Sequence, residues 1–193
     1  QRAQAKIQER DYNGAKADLK IALEIDPQSY ISYTLLGVVK KELGDYQGAI
    51  DDYTTALEIN PQDAIVYANR ANAKRERGDY KEAIRDYTLA IGINPKLSLA
   101  YYQRGTAKFD LKDYTGAISD YNKVLEVDPQ DALAYYERGN SRRELDHYQD
   151  SIDDYTRAIQ IFPRFVDAYY NRGLVKSRFL RDHEAAISDY TRA

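Results

Sequence analysis

Apolar and polar positions along the chain recur with the period of helices. In residues 64 to 97, Tyr67, Ala71 and Lys74 follow one another at spacings of four and three, and a second run carries Ala83, Ile84, Tyr87, Ala90 and Ile91 on one stripe. Both spacings gather side chains on one face of an α-helix. Gly78-Asp79 separates the runs: glycine adopts the left-handed conformation that ends a helix, and aspartate accepts hydrogen bonds from the free amides that open the next. The second run stops before Asn94-Pro95, because proline disfavours helical geometry in the residue before it and lacks an amide hydrogen. The pattern predicts an antiparallel helical hairpin. Asp63 and Asp131, just after prolines, are candidate caps for the first helices of their hairpins.

The same pattern returns along the whole chain. The five prolines, Pro27, Pro61, Pro95, Pro129 and Pro163, fall at a constant interval of 34 within 193 residues. A fixed period of this size marks units that bury their apolar faces against their neighbours in a stack. The columns repeat in phase: Tyr33, Tyr67, Tyr101, Tyr135 and Tyr169; Gly37, Ala71, Gly105, Gly139 and Gly173; Ala15, Ala49, Ala83, Ala117, Ser151 and Ala186. Small residues mark where two helices approach closely, and Tyr53, Tyr87, Tyr121, Tyr155 and Tyr190 fill the space around those contacts. Most of the 19 tyrosines are therefore expected in the core. The phase divides the chain into a partial repeat over 1–29, repeats over 30–63, 64–97, 98–131 and 132–165, and a partial repeat over 166–193.

The columns Tyr, Gly/Ala, Tyr, Ala, Tyr, Ala, Pro at this period resemble the tetratricopeptide repeat family over essentially the whole chain. The resemblance implies an all-α fold, a right-handed superhelical α-solenoid whose first helices line a concave inner wall. There are departures. Tyrosine replaces the family's usual tryptophan, and Arg2, Arg70, Arg104, Arg138 and Arg172 stand where the family usually has leucine. The last unit carries one extra residue between Lys176 and Asp182 and has His183 in place of the turn tyrosine. Neither end reads as a polar cap and methionine is absent, so the chain reads as an excised piece of a longer protein.

The arginine column travels with an aspartate column, Asp18, Asp52, Asp86, Asp120, Asp154 and Asp189. Bidentate ion pairs between them, within a unit or to the next, would register the stack. The adjacent acids Asp51-Asp52 and Asp153-Asp154 are expected to face outward as solvated charges.

Composition narrows the function. With 43% hydrophobic residues, 31% charged residues and a net charge of −3, the chain is neither disordered nor basic enough to favour nucleic acid. There is no cysteine, and the two histidines, His147 and His183, fall in hairpin turns. No run of about 18 apolar residues exists to insert into a membrane. A cytoplasmic setting is favoured. No nucleophile, base and metal set converges, and no phosphate-cradling or dinucleotide fingerprint occurs, so the chain is expected to be no enzyme and to need no cofactor or metal.

What remains is a surface. In each first helix a second stripe lies about 100° around from the core stripe. It carries Asn69 and Asn72; Leu99, Tyr102 and Phe109; Leu133, Tyr136, Glu137, Asn140 and Arg143; and Tyr170 and Asn171. Because the units resemble tetratricopeptide hairpins, this stripe is implied to be the groove. The candidate peptide-binding residues are Asn69, Asn72, Leu99, Tyr102, Phe109, Leu133, Tyr136, Asn140, Arg143, Tyr170 and Asn171. Tyrosine rings beside leucine suit apolar anchors, and asparagine offers a donor and an acceptor to peptide amides. One branch of the family clamps the acidic tail of chaperones with lysine, asparagine and arginine; here Ala68, Tyr102, Tyr136, Ile65, Leu99 and Leu133 hold the lysine columns, which disfavours an acidic chaperone tail. The expected function is a protein-interaction scaffold for an extended, largely uncharged segment of a protein partner. The alternatives are self-assembly, with another copy as partner, and the targeting arm of a larger enzyme.

Overall fold

The computed structural model describes residues 2–193, among which twelve α-helices and no strands occur. They form two compact halves, Gln1–Ala100 and Tyr101–Ala193. The first holds α1 (Arg2–Gln8), α2 (Tyr12–Ile25), α3 (Tyr30–Glu42), α4 (Tyr46–Ile59), α5 (Ala64–Arg77) and α6 (Tyr80–Ile93). Next comes α7 (Ser98–Asp110), which starts at the end of the first half. The second half continues with α8 (Tyr114–Val127), α9 (Ala132–Glu144), α10 (Tyr148–Ile161), α11 (Val166–Arg178) and α12 (His183–Arg192).

Each hairpin turn passes through one residue of positive φ. Glycine supplies it at Gly44 and Gly78, while Arg10, Lys112, Asp146 and Arg181 adopt it with a side chain, a conformation that β-carbon sterics disfavour. The caps follow the sequence reading with one exception. Asp11, Asp45, Asp113 and Asp182 each accept from an amide of the following helix, and Asp63 and Asp131 cap α5 and α9. Asp79 makes no such bond; its carboxylate takes hydrogen bonds and charge from Arg77 instead.

The cores are made where small residues meet rings. Tyr53, Tyr87, Tyr121 and Tyr155 are fully buried. A Cβ added to Gly37 would lie 2.7 Å from the Tyr53 ring, and one added to Gly139 would lie 2.9 Å from that of Tyr155. In the first half Ala49, Ile50, Tyr53, Ala56, Leu57, Val66 and Ala73 form one cluster. In the second, Ala158, Ile159, Phe165, Ala168 and Tyr169 form another.

The arginine and aspartate columns meet inside the hairpins that carry both; Leu36 stands at the arginine position beside Asp52. Arg70 Nε and Nη2 donate to Asp86 Oδ2 and Oδ1 at 2.7 and 2.9 Å, and Lys74 Nζ donates to Oδ2 at 2.7 Å. Arg138 and Arg142 hold Asp154 in the same way, as Arg172 and Lys176 hold Asp189. The remaining arginine nitrogen reaches back to a neutral acceptor on the preceding hairpin: Arg70 Nη1 to Thr54 Oγ1 at 3.1 Å, Arg138 Nη1 to Asn122 Oδ1 at 2.6 Å, Arg172 Nη1 to Thr156 Oγ1 at 2.9 Å. The guanidinium of Arg138 also lies over the Tyr135 ring, 5.3 Å from its centre.

These contacts correct the outward placement of the acidic pairs. Asp52 and Asp154 are buried, whereas Asp51 and Asp153 are exposed, because adjacent helical residues point about 100° apart.

Candidate functional site

The second stripe of the second half is built around α9. Asp131 Oδ1 accepts from the Ala134 amide at 2.9 Å and fixes where the helix starts. The helical period then turns Tyr135, Gly139 and Arg142 toward α10, and places Leu133, Tyr136, Glu137, Asn140 and Arg143 on the neighbouring stripe.

Side chains from three helices converge there. Asn140 is buried, and its Oδ1 accepts from the Tyr155 hydroxyl of α10 at 2.9 Å and from Asn171 Nδ2 of α11 at 3.1 Å. Asn171 Nδ2 also donates to the Tyr136 hydroxyl at 2.9 Å, and Asn140 Nδ2 donates to Glu137 Oε2 at 3.1 Å. The Tyr136 ring lies 4.8 Å from Phe165 and 5.9 Å from Tyr155, centre to centre. Of the six candidates on α9 and α11, Asn140 and Asn171 thus spend their amides on neighbours, so Asn140 orients the set and does not itself greet a ligand.

The electrostatics follow from this burial. Loss of water pushes the Tyr136 hydroxyl up, against the pull of the Asn140 hydrogen bond. It also pushes the Glu137 carboxyl up; Asn140 lowers it, and the charge of Asp110 raises it further. Arg143 does not relieve Glu137, since its Nη2 donates to Glu144 Oε1 at 2.9 Å.

The other candidates lie around this set or apart from it. Leu133 and Tyr170 remain 54% exposed, and the Tyr170 ring lies 5.8 Å from Tyr190. Tyr102 packs edge-on against Tyr121 at 5.7 Å. Phe109 packs edge-on against the turn residue Tyr114 at 5.2 Å. Asn69, Asn72 and Leu99 belong to the first half, where Asn72 Oδ1 accepts from the Tyr87 hydroxyl at 2.5 Å and Leu99 is exposed. The structure therefore joins Tyr136, Asn140 and Asn171 in one hydrogen-bonded set. Glu137 joins that set without having been singled out. Its signal was an acid in a column otherwise held by Leu35, Asn69, Gln103 and Asn171.

Family models match the helical hairpins in both halves. The tetratricopeptide repeat model covers residues 30–63 and 64–97, and a TPR repeat model covers 105–146 and 139–178. The chain belongs to the tetratricopeptide repeat family. Its architecture is the all-α solenoid of TPR hairpins, and TPR proteins bind protein partners and are generally non-catalytic. Among curated proteins, none matches the chain by sequence.

Solved structures with the same fold include a tetratricopeptide repeat protein from Parabacteroides merdae, at 26% identity and a TM-score of 0.83 over 97% of this chain and 74% of that one. Another is pilF of Pseudomonas aeruginosa, at 22% identity and 0.82 over 97% and 85%. A third is YrrB, a TPR protein with an unusual peptide-binding site, at 20% identity and 0.76 over 90% and 89%. Among the described residues no helix is long and apolar enough to cross a membrane, and no group of three metal-ligating side chains occurs.

Proposed function

We propose that this TPR chain is a non-enzymatic interaction scaffold that takes an extended, largely uncharged segment of a partner protein along the second stripe of its first helices. One observation carries the reading. Leu133 and Tyr170 each keep half their surface in water on the same stripe as a mutually bonded set of half-buried Tyr136 and Asn171 around buried Asn140. Exposed apolar side chains beside pre-ordered polar ones suit anchor residues on a peptide, because little side-chain freedom is left to lose on binding. The absence of a lysine clamp on these columns supports a neutral segment over an acidic tail.

The reading is tested by affinity capture with the chain as bait beside a Leu133→Ser/Tyr170→Ser variant, chosen because both side chains are exposed and contribute little to folding. A partner held by the parent chain and lost by the folded variant is expected. Equal retention of every captured protein would remove the stripe as the binding surface.

A further inference from the structure

We propose that Glu137 selects the partner, its carboxylate receiving the ammonium or guanidinium group of one Lys or Arg side chain that the bound segment inserts beside Tyr136. This rests on the stripe being the peptide site and names the chemistry of one anchor within it.

Glu137 differs from the buried acids of the aspartate column, where even Asp52 meets Lys40. Asp86, Asp120, Asp154 and Asp189 are each met by two cationic side chains. Among the described residues no Lys or Arg forms an ion pair with Glu137. Its carboxylate oxygen Oε2 accepts from the neutral Asn140 Nδ2, and Arg143 on the same stripe is turned onto Glu144. An acid withdrawn from water without a counter-charge is unfavourable until something neutralises it, and burial with Asp110 nearby holds this carboxyl above its ordinary range.

The geometry supplies a seat for a cation. Tyr155 and Asn171 hold Asn140, and Asn140 in turn holds Glu137, so the carboxylate is presented from a fixed position. Tyr136 offers a ring to a cation and exposed Leu133 offers apolar surface to an aliphatic stem. Only one basic side chain is called for, since Asn69, Gln103 and Asn171 hold the same column in other repeats. A single basic anchor is compatible with an otherwise uncharged segment. With only one carboxylate fixed this way, the chemistry fits a side-chain cation better than a metal ion.

The test is selection of random peptides displayed on phage against three forms of the chain: parent, Glu137→Gln, and Leu133→Ser/Tyr170→Ser. Glutamine keeps an acceptor for Asn140 and removes the charge. Recovered peptides are expected to share a Lys or Arg at one register, to bind Glu137→Gln roughly tenfold or more weakly, and to lose the same affinity on the parent when that residue becomes norleucine. The norleucine arm needs no folded variant. Peptides without a common basic residue, or indifferent to both changes, would overturn the proposal. If those peptides still fail on Leu133→Ser/Tyr170→Ser, the groove reading survives; if nothing is enriched on the parent, or the double variant binds equally, both fall.

Discussion

Two buried aspartates hold the same column of two hairpins and titrate in opposite directions. Asp189, in α12, is pushed up by burial, but hydrogen bonds from Arg172 and Lys176 outweigh that and leave it below its ordinary value of 3.8. Asp52, in α4, is pushed up by burial and only partly relieved by Lys40, whose Nζ lies 2.7 Å away, so it stands above 3.8. The cause is one residue: the arginine position of that repeat is Leu36, buried in an apolar cluster with Leu19 and Val39. One cation does not make up for the lost hydration of this carboxylate, and two do. The stabilisation from Asp189 is present above its unfolded pKa and is lost as pH falls through its lowered folded value. Ionisation of Asp52 acts the other way, opposing folding as pH rises from 3.8 through its raised value.

The largest expected effect comes from imposing the poorer arrangement on the better site. Arg138→Leu leaves Asp154 with Arg142 alone and should destabilise the chain by about 3 kcal/mol in urea unfolding; a loss under about 1 kcal/mol would mean that the second cation is dispensable. A double-mutant cycle should place strong coupling between Arg138 and Asp154, of about 2 kcal/mol, and almost none between Arg138 and Asp120.

Neutralisation should separate the two sites next. Asp154→Asn is expected to be costly, whereas Asp52→Asn should change stability at neutral pH by less than about 1 kcal/mol or raise it. Equal losses in the two variants would erase the distinction between the sites. A smaller effect concerns the ring above Asp52. The Tyr53 hydroxyl is buried without a hydrogen-bond partner, because Val38 stands where Asn72 and Asn140 accept from Tyr87 and Tyr155. Val38→Asn should recover up to about 1 kcal/mol, read by thermal unfolding, and a marked loss would show that apolar packing at Val38 matters more. Smallest in stability is Leu36→Arg, whose apolar loss offsets its gain. Its signature is instead a fall of the Asp52 carboxyl below 3.8 in an NMR titration, and an unmoved titration would show that the arginine does not reach.

The fold was legible because its signals are local and periodic. Gly78, the Asn94-Pro95 stop and the small and aromatic columns each report on residues a few positions away. The ion pairs were legible only as columns. Arg138 stands between Asp120 and Asp154 at nearly equal separations in sequence, and only the folded hairpin chooses Asp154. Asp51-Asp52 misled because two neighbouring acids look like one feature, while helical geometry sends one to water and the other to Lys40.

Spacing also places Leu133, Tyr136, Asn140 and Arg143 on one stripe of α9, but not the duties of those residues. The sequence offers Asn140 as a free amide, but Tyr155, Asn171 and Glu137, 15, 31 and 3 residues away, occupy it. No reading of one helix reveals partners contributed by two others. The same holds for Glu137, whose want of a counter-charge is visible only once Arg143 is seen to pair with Glu144.

The backward reach of each arginine bears on how such a chain can change in length. The hairpins of Arg70, Arg138 and Arg172 each carry their own aspartate and their own second cation, and ask of the preceding hairpin only a neutral oxygen, met equally by Thr54, Asn122 or Thr156. Removing or duplicating a whole 34-residue unit just before one of these three hairpins would rejoin an arginine to an acceptor of the same kind. The seam before each of these hairpins is therefore generic, and repeats can be gained or lost there by recombination without inventing a new junction.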